Sequence, residues 1–208
     1  MIKRIFDLIF SLIGIFVFSP FMLIIAALIK MTSPGPILYR GTRIGRFGEP
    51  FRLLKFRTMV TNADKIGGPS TADDDPRVTK AGRTLRKYKL DELPQLFNVV
   101  TGEMSFVGPR PEVAAEVALY SPDQRRLLKV SPGITDWASM RFHNEGEILK
   151  GSADPHHTYQ EKIRPEKIRL GLEYVEKHCL WIDMQILFAT VALIVRTRTR
   201  SHAAAANT

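Results

Sequence analysis

A single cysteine, Cys179, stands in 208 residues. That excludes an internal disulfide framework and any zinc site built on several thiolates, and it fits a reducing compartment. Neither a Walker A motif nor a dinucleotide-binding glycine fingerprint occurs, so the two common phosphate-cradling loops are missing. Acids are short as well: 21 Asp and Glu face 30 Lys and Arg, for a formal net charge of +9. Such a chain favours an anionic partner, whether nucleic acid, lipid headgroups or a phosphorylated substrate. Hydrophobic residues are not scarce. At 45%, beside 25% charged residues, they exclude a disordered or collagen-like chain. The length fits one domain, or one domain plus an appendage, with enough residues to bury a core.

The apolar residues are concentrated at the start. Between Ile5 and Ile29, 20 of 25 residues are apolar and Asp7 is the only charge. A straight helix of that length is ~37 Å long, enough for a bilayer core of ~30 Å, so the stretch reads as a membrane segment. It is too long for a cleaved signal peptide, and no small-x-small cleavage site precedes Lys30. Pro20, following Ser19, has no N–H to donate and crowds the carbonyl of Phe16. Lys3, Arg4 and Lys30 flank the two ends, which by the positive-inside rule places both in the cytoplasm. A re-entrant hairpin fits this pattern. A kinked spanning helix fits it too, because membrane helices tolerate proline.

Ser33-Pro34-Gly35-Pro36 ends the segment. Two strand-like runs, Ile37–Arg40 and Phe51–Phe56, then flank a glycine-rich centre and predict a β-hairpin. On a two-residue period Lys55 and Arg57 share a face opposite Phe56. They read equally well as a solvated basic face or as part of an anion site. Residues 61–80 form a surface loop, in which Asp73-Asp74-Asp75-Pro76 reads first as a turn and second as a cation site. A helix is predicted from near Thr79 towards Lys89, carrying Lys80, Arg83, Arg86 and Lys87.

Leu90-Asp91-Glu92-Leu93-Pro94-Gln95-Leu96 comes next. Proline is tolerated in a first helical turn, so Asp91 and Glu92 are placed at the N-terminus of a helix reaching about Val100 and ended by Thr101-Gly102. Free N–H groups there stabilise carboxylates and phosphates alike. The pair reads either as a cap with its dipole partner or as a phosphoryl-transfer centre. Gly108-Pro109-Arg110-Pro111 holds an arginine between two prolines, a rigid setting for a bidentate phosphate grip. Pro132-Gly133-Ile134-Thr135 reads as a type II turn.

Taken in order, the Ser-Pro break, Lys55-Phe56-Arg57-Thr58-Met59, Asp75-Pro76-Arg77, Leu85-Arg86, the Asp-Glu segment, Val107-Gly108-Pro109-Arg110-Pro111 and Pro132-Gly133-Ile134-Thr135 resemble the bacterial sugar transferases. These are the monotopic phosphoglycosyl transferases, and the resemblance runs from about Lys3 to Val195. It implies an enzyme that moves a sugar phosphate from a UDP-sugar to undecaprenyl phosphate and releases UMP. The implied setting is the bacterial inner membrane, with the site on the cytosolic face. The implied fold is α+β and mainly helical: a re-entrant helix-break-helix at Ser19 and Pro20, a small β-hairpin, and interfacial amphipathic helices around a compact cytosolic catalytic domain. Domain boundaries follow as 1–32 for the membrane helix, 33–200 for the catalytic domain and 201–208 for a disordered tail. Asp91 is implied as the covalent nucleophile at a Mg²⁺ site, with Glu92 as its partner. Lys55, Arg57, Arg86, Pro109, Arg110 and Pro111 are implied around the nucleotide phosphates. Membrane lipids are expected partners and nucleic acid is not, while oligomeric state is left open.

The chain departs from that family's pattern after Ile134-Thr135, where Asp136 replaces the usual glycine, and again over 146–164 with His156 and His157. These departures bear on sugar identity and leave the Asp-Glu pair intact. Leu180–Val195 is apolar but interrupted by Asp183 and Gln185, and Arg196, Arg198 and Arg200 follow. It reads as an interfacial helix or an ordinary core helix. Two other functions fit less well. A non-catalytic membrane adaptor binding anionic lipid or nucleic acid accounts for charge and anchor but not for the linked motifs. A glycosidase fails, because adjacent carboxylates cannot flank a glycosidic bond ~5 Å or more apart.

Overall fold

The computed structural model describes residues 1–68 and 70–206, with the side chains of Asp64 and of residues 197–206 outside the description. Helix α1 (Ile2–Thr32) leads into an antiparallel hairpin of β1 (Leu38–Ile44) and β2 (Pro50–Phe56). The short α2 (Ala63–Ile66) precedes α3 (Lys80–Lys87) and α4 (Gln95–Thr101). Strands β3 (Ser105–Val107) and β4 (Gly133–Thr135) pair in parallel, separated in sequence by α5 (Ala114–Ala118). The rest is helical: α6 (Trp137–Arg141), α7 (Glu145–Leu149), α8 (Pro155–Lys162), α9 (Arg164–Lys177) and α10 (Leu180–Ala206). The chain is thus mainly helical with two small sheets.

Among the described residues α1 is the one helix long and apolar enough to cross a membrane. It is a continuous helix through Pro20, where a helix-break-helix was expected. Pro20 cannot donate to Phe16, and the Ser19 hydroxyl donates to that carbonyl instead, at 2.9 Å, so the carbonyl is not left unsatisfied. Both ends of α1 dock on the same body. Near its start Lys3 pairs with the buried Asp183 of α10, Arg4 donates to the terminal carbonyls of Val99 and Val100 on α4, and Asp7 accepts from the N–H of Phe106 at 3.2 Å. Near its end Ile25 and Ile29 pack with Phe56 and Leu85. Burying a side chain such as Ile29 contributes about 1.5–3 kcal/mol. Between these anchors Phe16, Val17, Phe21, Leu23 and Ile24 are exposed.

On β2, Phe51 and Leu53 face inward against Val99 and Met104. Period two carries Lys55 to that same inward side, with Phe56 on the other. Buried Asn98 of α4 clamps the strand, accepting from Leu54 N–H at 2.9 Å and donating to the Arg52 carbonyl at 2.8 Å. The expected helix after Thr79 is α3, capped by the Thr79 hydroxyl, which accepts from Gly82 N–H. Glycine is required at 82 because a Cβ there would collide with the Thr58 carbonyl. The expected stop at Gly102 is met by a left-handed cap, φ 89°.

Two expectations need correction. Pro132-Gly133-Ile134-Thr135 is not a type II turn, which demands positive φ at its third residue. Neither Ile134, the third residue, nor Gly133 has positive φ; Gly133 opens β4, where its N–H donates to the Pro109 carbonyl and a Cβ would strike Gly108. The second concerns Asp91 and Glu92, which precede α4 in a separate 3-10 turn, Leu90–Glu92. Lys89 enters that turn at φ 55°, and Pro94, lacking an N–H, delays α4 to Gln95. The Asp73–Asp75 run is a turn, with Asp75 pairing with Arg77 at 2.7 Å. In α10, Asp183 and Ile186 are buried while Trp181, Phe188 and Val191 are exposed. Its backbone covers part of the segment expected as a tail, and residues 207–208 lie outside the described residues, as do the side chains of Arg198 and Arg200.

Candidate active site

The 3-10 turn presents two adjacent carboxylates to unlike surroundings. Glu92 Oε1 accepts from Lys55 Nζ and from an Arg110 terminal nitrogen, both at 2.8 Å. Those two cations hold the Glu92 carboxyl far below the usual carboxylate range, against the opposing effect of burial. Asp91 is only 7% exposed, and its Oδ1 is buried without a hydrogen-bond partner. Burial pushes its carboxyl up, while Lys55, Arg86 and Lys89 pull it back. Glu92 is therefore a fixed anion, and Asp91 keeps Oδ1 uncommitted. Neighbouring groups with environments this different divide roles in acid, base and nucleophile chemistry.

Lys55 reaches this turn from the inward face of β2, and burial lowers its ammonium pKa. Arg86, on α3, is held by the Thr58 hydroxyl, to which its Nε donates at 2.9 Å. Its charge reaches Asp91. Arg110 comes from the loop after β3, and Pro111 lines the same cleft. Lys55, Arg86, Asp91, Glu92, Arg110 and Pro111 are thus brought together around one cleft of about 2160 Å³. Arg57 points elsewhere. It donates to the Ser33 carbonyl and hydroxyl at 2.8 and 2.7 Å, tying the end of α1 to the hairpin, although its side chain also borders the cleft. Pro109 lies behind the site in a small adjoining cavity and near Gly171. Ser19 and Pro20 sit on α1 between its two anchored ends.

Apolar groups complete the cleft: Phe10, Gly14 and Phe18 from α1, Leu187 and Ile194 from α10, and Phe106. One continuous space is lined by cationic side chains and by hydrocarbon. Among the described residues no three His, Cys, Asp or Glu side chains converge as a metal cluster. A Mg²⁺ held mostly by substrate phosphates needs only one or two carboxylates. The unpartnered Oδ1 of Asp91 fits that role, and Glu92, already bonded to two cations, does not.

The bacterial sugar transferase family model matches residues 1–197. The chain belongs to the bacterial sugar transferase family. It is 38% identical, over 93% of its length, to a UDP-N-acetylgalactosamine-undecaprenyl-phosphate N-acetylgalactosaminephosphotransferase of Aeromonas hydrophila, of which it spans 44%. It is also 38% identical, over 92% of its length, to a UDP-glucose:undecaprenyl-phosphate glucose-1-phosphate transferase of Escherichia coli K12, of which it spans 39%. With an exopolysaccharide production protein of Rhizobium leguminosarum it shares 39% identity, covering 91% of this chain and 93% of that one. The chain thus spans less than half of the first two relatives and nearly all of the third.

Within this family member, some supporting residues escaped the reading of the sequence. Tyr174 donates to Asp183 at 2.7 Å and lies 3.1 Å from the Val107 carbonyl, so a buried network joins α9, α10 and the Lys3 end of α1 just ahead of Gly108–Pro111. Asp183, a lone acid in an apolar run, was the available signal, because a buried charge requires a partner.

Proposed function

We propose that this sugar transferase moves a sugar phosphate from a UDP-sugar to undecaprenyl phosphate through a covalent intermediate on Asp91, at the cytosolic face of the bacterial inner membrane. The observation that carries the reading is the contrast at residues 91 and 92: one buried carboxylate free to attack, beside one neutralised by Lys55 and Arg110. An Asp91 carboxylate oxygen attacks the β-phosphorus of the donor, and the bond from that phosphorus to the bridging oxygen breaks. UMP leaves with the bridging oxygen, and the sugar phosphate stays on Asp91 as an acyl phosphate. A phosphate oxygen of the acceptor then attacks the same phosphorus, and the Asp91 carboxylate is regenerated. When bound beside Asp91, Mg²⁺ would neutralise charge on the donor diphosphate. Arg110 and Lys55, kept in place by Glu92, and Arg86, kept in place by Thr58, would bind the phosphate oxygens. The apolar lining from α1 and α10 supports a lipid acceptor and would help exclude the water that hydrolyses acyl phosphates.

The test is UMP release by detergent-solubilised protein given Mg²⁺, undecaprenyl phosphate and a panel of UDP-sugars. Release with at least one sugar, dependent on the lipid for repeated turnover, is the expected result. No release with any donor, together with salt-sensitive nucleic-acid binding, would favour the basic-adaptor alternative.

The docking of both ends of α1 on one body supports a re-entrant topology for the membrane segment. In a Cys179→Ser background, Ile2→Cys and Thr32→Cys should both resist a membrane-impermeant thiol reagent in intact cells and react after lysis. Labelling of Ile2→Cys in intact cells would replace the re-entrant topology with a spanning helix.

A further inference from the structure

Two residues past Arg110, the chain places another carboxylate in the cleft. The Glu112 carbonyl accepts from Ile44 N–H at 2.9 Å, which fixes this residue against the end of β1. Its half-buried side chain borders both the large cleft and the small cavity behind it. Among the described residues its one side-chain hydrogen bond is from Tyr159, whose hydroxyl donates to Oε1 at 3.4 Å. Among the described residues Glu112 has no ion pair.

Its neighbours differ. Glu92 holds Lys55 and Arg110, Glu116 holds Arg164 at 3.0 Å and accepts from Gln160, and Glu145 holds Lys167. Arg110, Arg164 and Lys167, the cations of this wall, are therefore already matched with carboxylates. Arg43, half-buried on β1 and lining the same cleft, also approaches, and its guanidinium donates to the Thr42 carbonyl. A half-buried carboxylate with no counterion is costly unless donors reach it. Tyr159 is one donor, a long one, and it comes from α8, within the 146–164 stretch where the chain departs from the common family pattern. Glu112, Arg110 and Asp91 line the same cleft, within which a donor's phosphates and sugar would both have to lie.

We propose that Glu112 is a sugar-recognition residue that accepts hydrogen bonds from hydroxyls of a neutral hexose or N-acetylhexosamine and excludes uronic acids. This inference rests on the UDP-sugar reading of the same cleft. Sugar hydroxyls are donors, and an ionised carboxylate offers two acceptor oxygens for them. A uronate would set a second carboxylate against Glu112, with Arg110, Arg164 and Lys167 already paired. Discrimination by such a repulsive element is as effective as an added attractive contact.

The experiment measures UMP release by the full chain in detergent with UDP-glucose, UDP-galactose, UDP-N-acetylglucosamine, UDP-N-acetylgalactosamine and UDP-glucuronate. Wild type should use at least one neutral donor and reject the glucuronate. Glu112→Gln should raise KM for the preferred donor about tenfold or more, with a smaller change in kcat, because a charge-assisted acceptor is lost away from the reacting phosphorus. It should also narrow the kcat/KM ratio between neutral donor and glucuronate, and Glu112→Arg should narrow it further. A merely structural role would lower activity towards all donors alike and leave that ratio unchanged. If Glu112→Arg fails to fold, the ratio in Glu112→Gln still decides. An unchanged ratio, or glucuronate as the wild-type substrate, overturns the inference while the transferase reading stands. A wild type that releases UMP from no donor overturns both.

Discussion

Asp91→Asn should abolish covalent capture of the donor. Mixed with Mg²⁺ and the correct UDP-sugar but no acceptor, wild type should give a stoichiometric burst of UMP and a sugar-phosphate adduct on intact-protein mass spectrometry. The variant should give neither, and its steady-state rate should fall by roughly four to six orders of magnitude, as expected when a covalent nucleophile is removed. An amide oxygen is a poor nucleophile, and the substitution preserves size, so the loss would be chemical rather than structural. The environment of Asp91 adds a pH test. Burial raises its carboxyl above the ordinary value of 3.8, and only the ionised form attacks. The burst rate should therefore fall as pH drops through that raised value. Lys55→Met, which removes the strongest opposing charge, should move the limb to higher pH. A limb that stays in place in Lys55→Met would show that another group titrates. Normal turnover by Asp91→Asn would remove Asp91 from the mechanism, and kinetics other than ping-pong would point to direct transfer.

Glu92→Gln should lower turnover on the order of 10²–10³-fold and also destabilise the fold, by a different route. Its carboxylate bonds two cations at once, Lys55 and Arg110, in a largely buried position. Removing one partner of a buried ion pair leaves an uncompensated charge, typically a loss of about 3–5 kcal/mol. Lys55 would then shed its proton more readily, and Arg110 would lose the contact that aims it. Two measurements separate these effects. Denaturant unfolding should show the stability loss, and Lys55→Met/Glu92→Gln should recover part of it through a coupling of about 0.5–3 kcal/mol. Turnover should not recover, because the phosphate-binding charge is gone. Additive stability changes would mean that the pair does not couple. Full activity in Glu92→Gln would mean that Arg110 is aimed by something else.

Much of the fold follows from local patterns. The apolar run of α1, the hairpin strands, the Thr79 cap of α3 and the glycine stop at Gly102 each depend on neighbours a few residues away, which a sequence displays directly. The parallel pair β3–β4 escaped because it joins short strands well separated in sequence, as in Ser105 with Gly133. Three residues carry too little periodicity to announce a strand, and a glycine after proline signals a turn in sequence although here it serves a close backbone approach. The Ser19-Pro20 pair is visible in the sequence, but not that the Ser19 hydroxyl takes up the Phe16 carbonyl or that the helix runs through the pair.

By itself the sequence determined the long apolar N-terminal segment, the family through its ordered motifs, and the list of groups able to handle a phosphate. It did not determine which of those groups meet. Lys55 and Arg110 lie 37 and 18 positions from Glu92 and converge on one oxygen only because β2 and the loop after β3 pack around the 3-10 turn. In such a turn successive side chains diverge by about 120°, so adjacent residues of the same chemistry face different neighbours. Glu92 meets two cations, whereas Asp91 meets buried space that leaves Oδ1 unpaired. That division of roles belongs to the tertiary structure, because burial and counterions depend on what lies opposite a side chain rather than on what stands next to it in sequence.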